Sequence, residues 1–324
     1  MKPPRTTSPA IWWGRHPARR PPGASISTLF AGIDGGQSST SAVIGDETGR
    51  VIARGTGGPA DEVGEGPGST RLRDALRGAL RDALARAGLP QDSHFAAIVA
   101  GISGYEGSVY GRAPELPADR VALVHDTEIA HAGALDGKPG VVVIAGTGSV
   151  AFAKSENGAG SLCGGWGYLF GDEGSAFWFA RDALADAMRE TDAGEQSELT
   201  PLLLQHFSQP SLRALARAFY AGGVSRADLA ALAPVLMRHA ENGSERAAQY
   251  VRDGAAALVL LAKHAADRAQ MPAPGVAFTG GLMQSAAFSA HVDRWMHELL
   301  PQARRVVPRR DAAEGALLLA YRPV

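Results

Sequence analysis

Residues 28–54 read TLFAGIDGGQSSTSAVIGDETGRVIAR, and their apolar runs and turns are the strongest indication of the fold. Three apolar runs, 28–33, 40–44 and 51–54, are separated by turns that contain glycine and acidic residues. Turns of this kind between β-type runs of this length are typical of hairpins. We therefore predict that a domain opens with three antiparallel strands.

The same pattern starts again near the middle of the chain. An apolar run at 141–145 is followed by a glycine turn at 146–149 and a further strand at 150–154. We interpret this as a weak internal repeat. After residue 172 the chain becomes mostly helical. Mixed strands and helices with a repeated unit predict an α/β protein of two domains with a cleft between them.

Helix and strand signals fill the region between the two repeats. Leucines spaced four apart, with Ser69 as N-cap and Gly88 at the end, predict a helix over 69–87. Buried strands are expected at 95–100 and 121–124. A helix is expected to begin at Asp126. Near the end of the chain, a buried strand at 276–279 and a last helix at 311–321 are predicted.

Composition excludes several classes of function. The chain has 324 residues, 45% of them hydrophobic, and a formal net charge of -1, so no global field favours nucleic acid or an anionic membrane. Cys163 is the only cysteine, which rules out an internal disulfide. No apolar run reaches the roughly 20 residues that span a bilayer. Residues 1–28, rich in Arg, Pro and Ser, do not resemble a secretory signal, and we expect a disordered leader and a cytoplasmic protein.

Several turns that contain glycine pairs directly follow predicted strands. Glycine lets a backbone approach a ligand closely and point N–H groups at phosphate oxygens. Any one of these turns alone is more often an ordinary turn. A P-loop motif does not follow the first strand. The turns are Asp34-Gly35-Gly36, Gly146-Thr147-Gly148-Ser149, Gly164-Gly165-Trp166-Gly167 and Gly280-Gly281.

Two aspartates at predicted strand ends are the first candidates for chemistry. Asp34 can hold Mg²⁺ beside a phosphate-binding turn, or it can make an ordinary Asx-turn. Asp126 can be a general base for a substrate hydroxyl, or the N-cap of a helix. The pattern alone leaves both alternatives open.

Residues 164–175 read GGWGYLFGDEGS and carry the most information. Glycine turns, aromatic rings and carboxylates suit a sugar, whose CH faces lie on rings and whose hydroxyls bind acids. The alternative is a glycine-kinked pair of strands in a core.

Taken in order, these motifs resemble the N-acetylglucosamine kinase family of the BadF/BadG/BcrA/BcrD-type ATPases. The resemblance includes HDT at 125–127, GDEGS at 171–175 and DAAEGA at 311–316, and it extends over about 29–321. That family belongs to the actin, sugar kinase and Hsp70 superfamily. The resemblance therefore implies a two-domain actin-like (ribonuclease H-like) ATPase fold and an ATP-dependent kinase.

The resemblance also implies roles for single residues. Asp126 matches the catalytic base, and Asp34 would organise Mg²⁺. The residues expected to bind ATP are Gly35, Gly36, Gln37, Ser38, Gly146, Thr147, Gly148, Gly280 and Gly281. The residues expected to bind the sugar are Asp61, Ser103, Thr147, Cys163, Gly165, Trp166 and Asp172. For Cys163, a small buried filler is an equal alternative.

Two positions depart from the family pattern. The first phosphate loop of the family usually reads DGGGT, and here Gln37 and Ser38 replace the last two residues. Gln37 adds a side chain where glycine lets phosphate come close. Asp61 stands where the family has a sugar-contacting asparagine. A carboxylate there lacks the amide donor and favours a cationic amine, so glucosamine becomes a candidate substrate.

We therefore predict an enzyme that phosphorylates N-acetylglucosamine or glucosamine, at O6, with Mg-ATP. The expected organisation is a leader (1–28), an N-terminal ATPase domain (29–125), a C-terminal ATPase domain with a helical insertion (126–310) and a C-terminal helix that packs back on the first domain (311–324). The resemblance also suggests a homodimer. No nucleic-acid or membrane partner is expected.

Three other functions are alternatives to this prediction. Iron–sulfur activators of the same ATPase family need two cysteines per subunit, and this chain has one. A non-catalytic sugar- or nucleotide-sensing protein is opposed by Asp34 and Asp126, although Gln37 leaves it open. A kinase for another sugar, such as a relative of muramic acid, is the third alternative.

Overall fold

A computed structural model describes residues 11–14, 28–62 and 65–322 of the protein. The described chain forms two compact units. The first unit extends to Val142 and adds Lys154–Ser161 and the chain from Val307 onward. The second unit consists of Val143–Ala153 and Leu162–Val306.

The described residues form strands and helices in an alternating order. The strands are β1 (Ile11–Gly14), β2 (Leu29–Gly35), β3 (Thr40–Asp46), β4 (Val51–Gly57), β5 (Phe95–Ile102), β6 (Ala118–His125), β7 (Gly140–Ala145), β8 (Ser149–Lys154), β9 (Gly160–Gly164), β10 (Gly275–Thr279) and β11 (Arg304–Val306). The helices are α1 (Arg71–Ala87), α2 (Asp126–Leu135), α3 (Ala176–Asp192), α4 (Thr200–Phe207), α5 (Leu212–Tyr220), α6 (Arg226–Ala230), α7 (Ala233–Glu241), α8 (Glu245–Arg268), α9 (Ala286–Leu299) and α10 (Ala312–Ala320). A 3₁₀ turn spans Gly281–Gln284.

The first unit is built on a six-stranded sheet in the order β1-β6-β5-β2-β3-β4. The pairs β2–β3 and β3–β4 are antiparallel, which confirms the three antiparallel strands predicted from residues 28–54. The pairs β2–β5 and β5–β6 are parallel, so the carboxyl ends of three strands meet at one edge of the sheet. This edge carries the candidate site of the first unit.

Helices cover both faces of this sheet because its central strands are apolar on both sides. The buried leucines of α1, among them Leu72, Leu76 and Leu80, pack with Ile33 and Ile98 in one core cluster. The other face packs against α2 and α10, with alternate residues of β5 and β6. Alternating burial of this kind is what a strand between two helical layers requires.

The leader holds a short element that the sequence did not predict. Residues Ile11–Gly14 form β1, which pairs antiparallel with β6. The expectation of a disordered leader is wrong for these four residues, because isoleucine and tryptophan favour strands and the edge of β6 offers unpaired backbone groups. The rest of the predicted leader up to residue 27 lies outside the described residues.

The second unit contains a five-stranded sheet in the order β11-β10-β7-β8-β9, together with helices α3 to α9. The strand β11 was not predicted, since three residues that include two arginines carry no strand signal. It pairs in parallel with β10. None of the helices in the described part of the chain is long and apolar enough to cross a membrane.

Most predicted elements stand within a few residues of their observed bounds. The first long helix starts at Arg71 with Thr70 as its N-cap, so Ser69 is not the cap. Gly88 ends it in the left-handed conformation, as its sequence position predicted. The helix α2 groups with the first unit, where it packs against α10 and β5. The first unit therefore continues past residue 125, the boundary predicted from the sequence.

Candidate active site

The carboxyl-terminal edge of the first sheet brings together three of the predicted site residues. Asp34 lies near the end of β2, opposite Gly101 of β5. Ser103 follows β5, and its backbone N–H donates to the carbonyl of Gly35 at 3.0 Å. Asp126 directly follows β6. Ligands of open α/β sheets bind outside the carboxyl ends of parallel strands, which makes this edge the candidate site of the first unit.

The first glycine turn is closed by backbone hydrogen bonds. Gly36 N–H donates to the Ser39 carbonyl at 3.0 Å, and the Gly36 carbonyl accepts from Ala60 N–H at 3.0 Å. Gln37 and Ser38 between them are exposed. The bond to Ala60 also brings the segment that carries Asp61 beside this turn.

Asp61 is not an isolated carboxylate. Its Oδ1 atom lies 3.1 Å from Nη2 of Arg71, the first residue of α1. The adjacent Glu62 is buried, and its carboxylate accepts from the backbone N–H groups of Tyr110 and Gly111 at 2.8 and 3.1 Å. Glu62 therefore anchors a loop, whereas Asp61 forms an ion pair.

Asp34 is influenced by the negative charges of other carboxylates. Burial, followed by the carboxylates of Asp126 and Asp311, raises the pKa of Asp34 to about 7. A buried acid close to other carboxylates is stabilised either by a proton or by a cation. No group of three or more His, Cys, Asp or Glu side chains in the described residues can hold a metal by itself. Mg²⁺ bound through one carboxylate and substrate phosphates needs no such group.

Asp126 is the first residue of α2, and the N-cap of that helix is His125. The alternative interpretation of Asp126 as an N-cap is therefore wrong. Its Oδ1 atom is buried and accepts no hydrogen bond from the described residues. The Nδ1 atom of His125 is only 2.8 Å from this oxygen, but it also faces Thr127 Oγ1 at 2.9 Å, so the imidazole N–H is not aligned on Asp126.

In the second unit, the turn at 146–149 is hydrogen-bonded to the start of α3. Ala176 N–H donates to the Gly146 carbonyl at 2.9 Å, and Phe177 N–H donates to the Thr147 carbonyl at 3.3 Å. These bonds use N–H groups that an α-helix leaves unpaired at its start. The glycine turn and the GDEGS motif, which are far apart in sequence, therefore form one structure.

Asp172 lies directly against this turn. Its carboxylate is buried, accepts from Ser149 N–H at 3.3 Å, and has Oδ2 3.4 Å from Nη2 of Arg226. A Cβ atom on Gly148 would be 2.9 Å from Oδ2, so only glycine leaves room for the carboxylate. The backbone of Asp172 has φ +63°, a left-handed conformation that is uncommon outside glycine and is frequent at functional sites.

The charge of Asp172 is set by opposing effects. Burial raises its pKa, while the Ser149 N–H and the guanidinium of Arg226 lower it. Glu173 and Arg181 act on it in opposite directions, Glu173 raising the pKa and Arg181 lowering it. The carboxylate therefore depends on its donors to stay ionised.

A cavity of about 780 Å³ opens beside the same turn. Its walls are mostly small apolar residues of α6, α7 and the start of α9, and two charged side chains, Arg238 and Glu241, are also in the lining. Among the predicted ATP-binding residues, Gly146, Thr147 and Gly281 line it. Gly280 has φ +102°, and a Cβ atom there would be 2.2 Å from the Ala145 carbonyl, so the two glycine turns touch.

The other predicted sugar residues of this unit lie around β9. Cys163 is buried, with its Sγ atom 3.8 Å from Nη1 of Arg268. Gly165 N–H donates to the Ser149 carbonyl at 3.1 Å. Trp166 is 75% exposed, so its ring is free to cover a ligand and does not serve the core.

Sequence reasoning missed three side chains at these sites. Arg226, Arg71 and His125 each contact a predicted site carboxylate. The sequence placed His125 in a motif without giving it a role. No local signal distinguishes Arg226 or Arg71 from the other arginines, because each reaches its partner only in the folded chain.

Curated relatives were found by sequence. An N-acetyl-D-glucosamine kinase of Dictyostelium discoideum is 26% identical over 313 residues, which cover 90% of this chain and 97% of that protein. An N-acetylmuramic acid/N-acetylglucosamine kinase of Clostridium acetobutylicum is 28% identical over 205 residues, 62% of this chain and 67% of that protein. Both similarities are moderate.

The fold is also seen in solved structures. The crystal structure of a candidate N-acetylglucosamine kinase from Chromobacterium violaceum matches with a TM-score of 0.74 and 26% identity, covering 91% of this chain and 99% of the other. The fold is the two-domain α/β fold of the actin-like ATPases and sugar kinases, as predicted. The family profile matches residues 31–320, so the chain belongs to the BadF/BadG/BcrA/BcrD ATPase family.

Proposed function

We propose that this ATP-dependent sugar kinase transfers the γ-phosphoryl group of ATP to the 6-hydroxyl of N-acetylglucosamine or glucosamine, with Asp126 as the general base. The observation that carries the base assignment is the buried Oδ1 of Asp126, which accepts no hydrogen bond from the described residues, at the edge where three parallel strands end. Family membership and the two curated kinases support sugar phosphorylation with ATP.

The nucleotide is proposed to bind in the cavity of the second unit. Its apolar walls suit a purine ring, and the glycine turn at its edge exposes backbone to phosphate oxygens. Gly35, Gly36, Gln37 and Ser38 of the first unit are proposed to contact phosphate as well. Catalysis of phosphoryl transfer is mostly positioning and charge stabilisation.

In the proposed step, the sugar hydroxyl oxygen attacks the γ-phosphorus and the bond from that phosphorus to the β,γ-bridging oxygen breaks. ADP leaves with the electron pair of that bond, and the hydroxyl proton passes to Asp126. An ionised carboxylate with a free lone pair can take this proton, whereas one saturated with donors accepts it poorly.

Mg²⁺ is proposed at Asp34. A carboxyl whose pKa is raised to about 7 by burial, Asp126 and Asp311 gains from a cation that neutralises it, which fits a metal held through one carboxylate and phosphates. When bound, Mg²⁺ would neutralise phosphate charge. Asp34 would orient it from the end of β2.

The sugar is proposed to contact Asp61, Ser103, Thr147, Cys163, Gly165, Trp166 and Asp172. A kinase for N-acetylmuramic acid is the second candidate, since one curated relative carries that sugar in its name. A homodimer and a cytoplasmic location stay predictions. Light scattering on a size-exclusion column would test the former.

The test is ADP release by purified protein with Mg-ATP and a panel of glucosamine, N-acetylglucosamine, N-acetylmannosamine, muramic acid, N-acetylmuramic acid and glucose. We expect strong stimulation by N-acetylglucosamine or glucosamine, with product NMR locating the phosphate on O6. A folded protein that no amino sugar stimulates would refute the proposal. Stimulation by N-acetylmuramic acid alone would move the second candidate ahead.

A further inference from the structure

The cavity of the second unit has a polar end. Its walls are mostly small or apolar residues, but Arg238 and Glu241 of α7 also line it. They are three residues apart on one helix, so they lie on the same face. Neither side chain forms an ion pair or a hydrogen bond with another described residue. The cavity therefore presents one unpaired donor group and one unpaired acceptor group.

The other end of the cavity lies at the glycine turn. Arg226, the first residue of α6, has its Nη2 atom 3.4 Å from Oδ2 of Asp172. The Asp172 carboxylate in turn accepts from Ser149 N–H at 3.3 Å. The guanidinium of Arg226 is also stacked on Tyr168, with its carbon 4.3 Å from the centroid of the ring. These contacts fix the start of α6 beside the turn at 146–149.

The lining residues of α6 and α7 form a stripe that leads away from this turn. α7 rises about 1.5 Å per residue, so Glu241 lies about 12 Å along its axis from Ala233, the first residue of the helix. The charged pair is therefore at the end of the cavity that is remote from the glycine turn. The stripe includes Ala227, Ala230, Pro234, Arg238 and Glu241, each three or four residues from the next, as neighbours on one helical face are.

A nucleotide matches the two ends of this cavity. With its phosphates at the glycine turn, its nucleoside extends along the stripe toward the end of α7. Adenine presents an amine that donates and a ring nitrogen that accepts, and the ribose hydroxyls also donate. A carboxylate only accepts hydrogen bonds, and a guanidinium only donates them. Glu241 and Arg238 therefore complement the polar groups of a nucleoside.

We propose that Arg238 and Glu241 recognise the nucleoside of the bound nucleotide, with Glu241 as acceptor from an amine or hydroxyl group and Arg238 as donor to a ring nitrogen. This inference rests on the proposed function only in that it places the nucleotide in this cavity, and it does not depend on which sugar is phosphorylated. A carboxylate that acts by its charge alone repels the phosphates of a nucleotide. The sign of the effect of Glu241 therefore separates a specific contact from a general charge effect.

The first measurement is the affinity for Mg-ADP, by calorimetry without sugar, of the wild type and of the E241A and E241Q variants. E241A should bind Mg-ADP about 10-fold more weakly, which is the effect of one hydrogen bond to a charged group. E241Q keeps an acceptor oxygen and should lose less. Equal or tighter binding by E241A is the result expected of a carboxylate that acts by charge alone, and it would overturn the inference.

Nucleotide analogues locate the contact of Glu241. IDP has an oxygen in place of the adenine amine, and 2′-deoxy-ADP and 3′-deoxy-ADP each lack one ribose hydroxyl, whereas all three keep the diphosphate. For the analogue that lacks the contacted group, E241A should cost little further affinity, because the contact is already absent. An equal loss for ADP and for all three analogues would contradict a contact with the nucleoside.

Arg238 is tested by R238A and R238K in the same assay. R238A should bind Mg-ADP about 10-fold more weakly. R238K should restore only part of this loss, because an ammonium keeps the charge but not the directed N–H groups of a planar guanidinium. Full restoration by R238K would show a general charge effect and would remove Arg238 from the inference.

The matched controls are E195A and R213A, since both side chains are exposed in the second unit and lie outside the cavity lining. Both controls should bind Mg-ADP as the wild type does. Because Arg238 and Glu241 are exposed as well, their variants should keep the unfolding midpoint of the wild type. A wild type that does not bind Mg-ADP refutes the inference together with the proposed nucleotide site. The expected losses without phosphorylation of any amino sugar would refute the proposed function and leave the inference standing.

Discussion

The Nδ1 atom of His125 lies 2.8 Å from the Oδ1 atom of Asp126, the proposed base. The same nitrogen faces Thr127 Oγ1 at 2.9 Å and accepts from Thr127 N–H at 3.3 Å as the N-cap of α2. Neutral imidazole can accept from Thr127, whereas imidazolium is attracted by the charge of the Asp126 carboxylate. The protonation state of His125 therefore affects both the N-cap of α2 and the charge next to the proposed base.

This relationship predicts a pH-dependent stability. Burial alone lowers the pKa of His125, but Asp126, Glu128 and Glu106 outweigh it and raise the pKa above the usual 6.5. A raised histidine pKa stabilises the fold fully below the unfolded value, and this contribution is lost as pH rises through the folded value. The H125N variant should be less stable than wild type by about 1 kcal/mol at pH 5.5 and approach it above neutral pH.

Urea unfolding from pH 5.5 to 9 measures this difference. The control is H264N, since His264 is exposed. A gap between wild type and H125N that stays constant across this range would contradict the charge coupling.

The raised pKa of Asp34 also predicts a loss of stability with rising pH, and here the variant that removes the titrating group gains stability. The pKa of Asp34 is raised to about 7, so the folded protein holds this proton more tightly than the unfolded chain, and the wild type loses stability as pH rises from about 4 to 7. The D34N variant has no such loss. It should be more stable than wild type at pH 8 without Mg²⁺, by up to about 4 kcal/mol, and nearly equal at pH 4.

Thermal or urea unfolding at the two pH values tests this expectation, and the kinase activity of D34N should fall at the same time. Equal stability of D34N and wild type at pH 8 would show that the ionised carboxylate of Asp34 does not destabilise the folded protein.

The D126N variant tests the base. Asparagine keeps the size of the side chain and cannot accept the hydroxyl proton, so kcat should fall by about 10²- to 10⁴-fold. Sugar binding, measured by calorimetry, and the unfolding midpoint should change little. Near-normal kcat in D126N would remove Asp126 from the mechanism.

Two neighbouring glycines form a matched pair for stability. Gly280 has φ +102°, and a Cβ atom there would be 2.2 Å from the Ala145 carbonyl oxygen. A Cβ atom on Gly281 would have no neighbouring atom within 4 Å. G280A should therefore destabilise the protein by about 3 kcal/mol or more, and G281A by less than about 1 kcal/mol. Denaturant unfolding of both variants measures the difference, and equal effects would contradict the close approach of the two turns.

Local patterns accounted for the framework of both units. The hairpin strands, the helix that ends at Gly88 and the start of α2 at Asp126 follow from alternation, capping residues and apolar runs over short windows. The motifs also indicated the edge of the first sheet and the turn beside α3, because glycines and acids after apolar strands mark such edges.

Two short strands were not predicted by these patterns. The strands β1 and β11 are stabilised by a neighbouring strand that lies far away in sequence, which a local window does not contain.

The two-domain α/β fold, the family and the candidate carboxylates were predicted from the sequence, because these predictions depend on residue type and spacing along the chain. The electrostatic environment of those carboxylates follows only from the tertiary structure. Arg226 is 54 residues from Asp172, and Asp311 is near the other end of the chain from Asp34, whose pKa it helps to raise. Charge interactions depend on distance and burial in the folded chain, so only the tertiary structure shows which acids are paired and which have a shifted pKa.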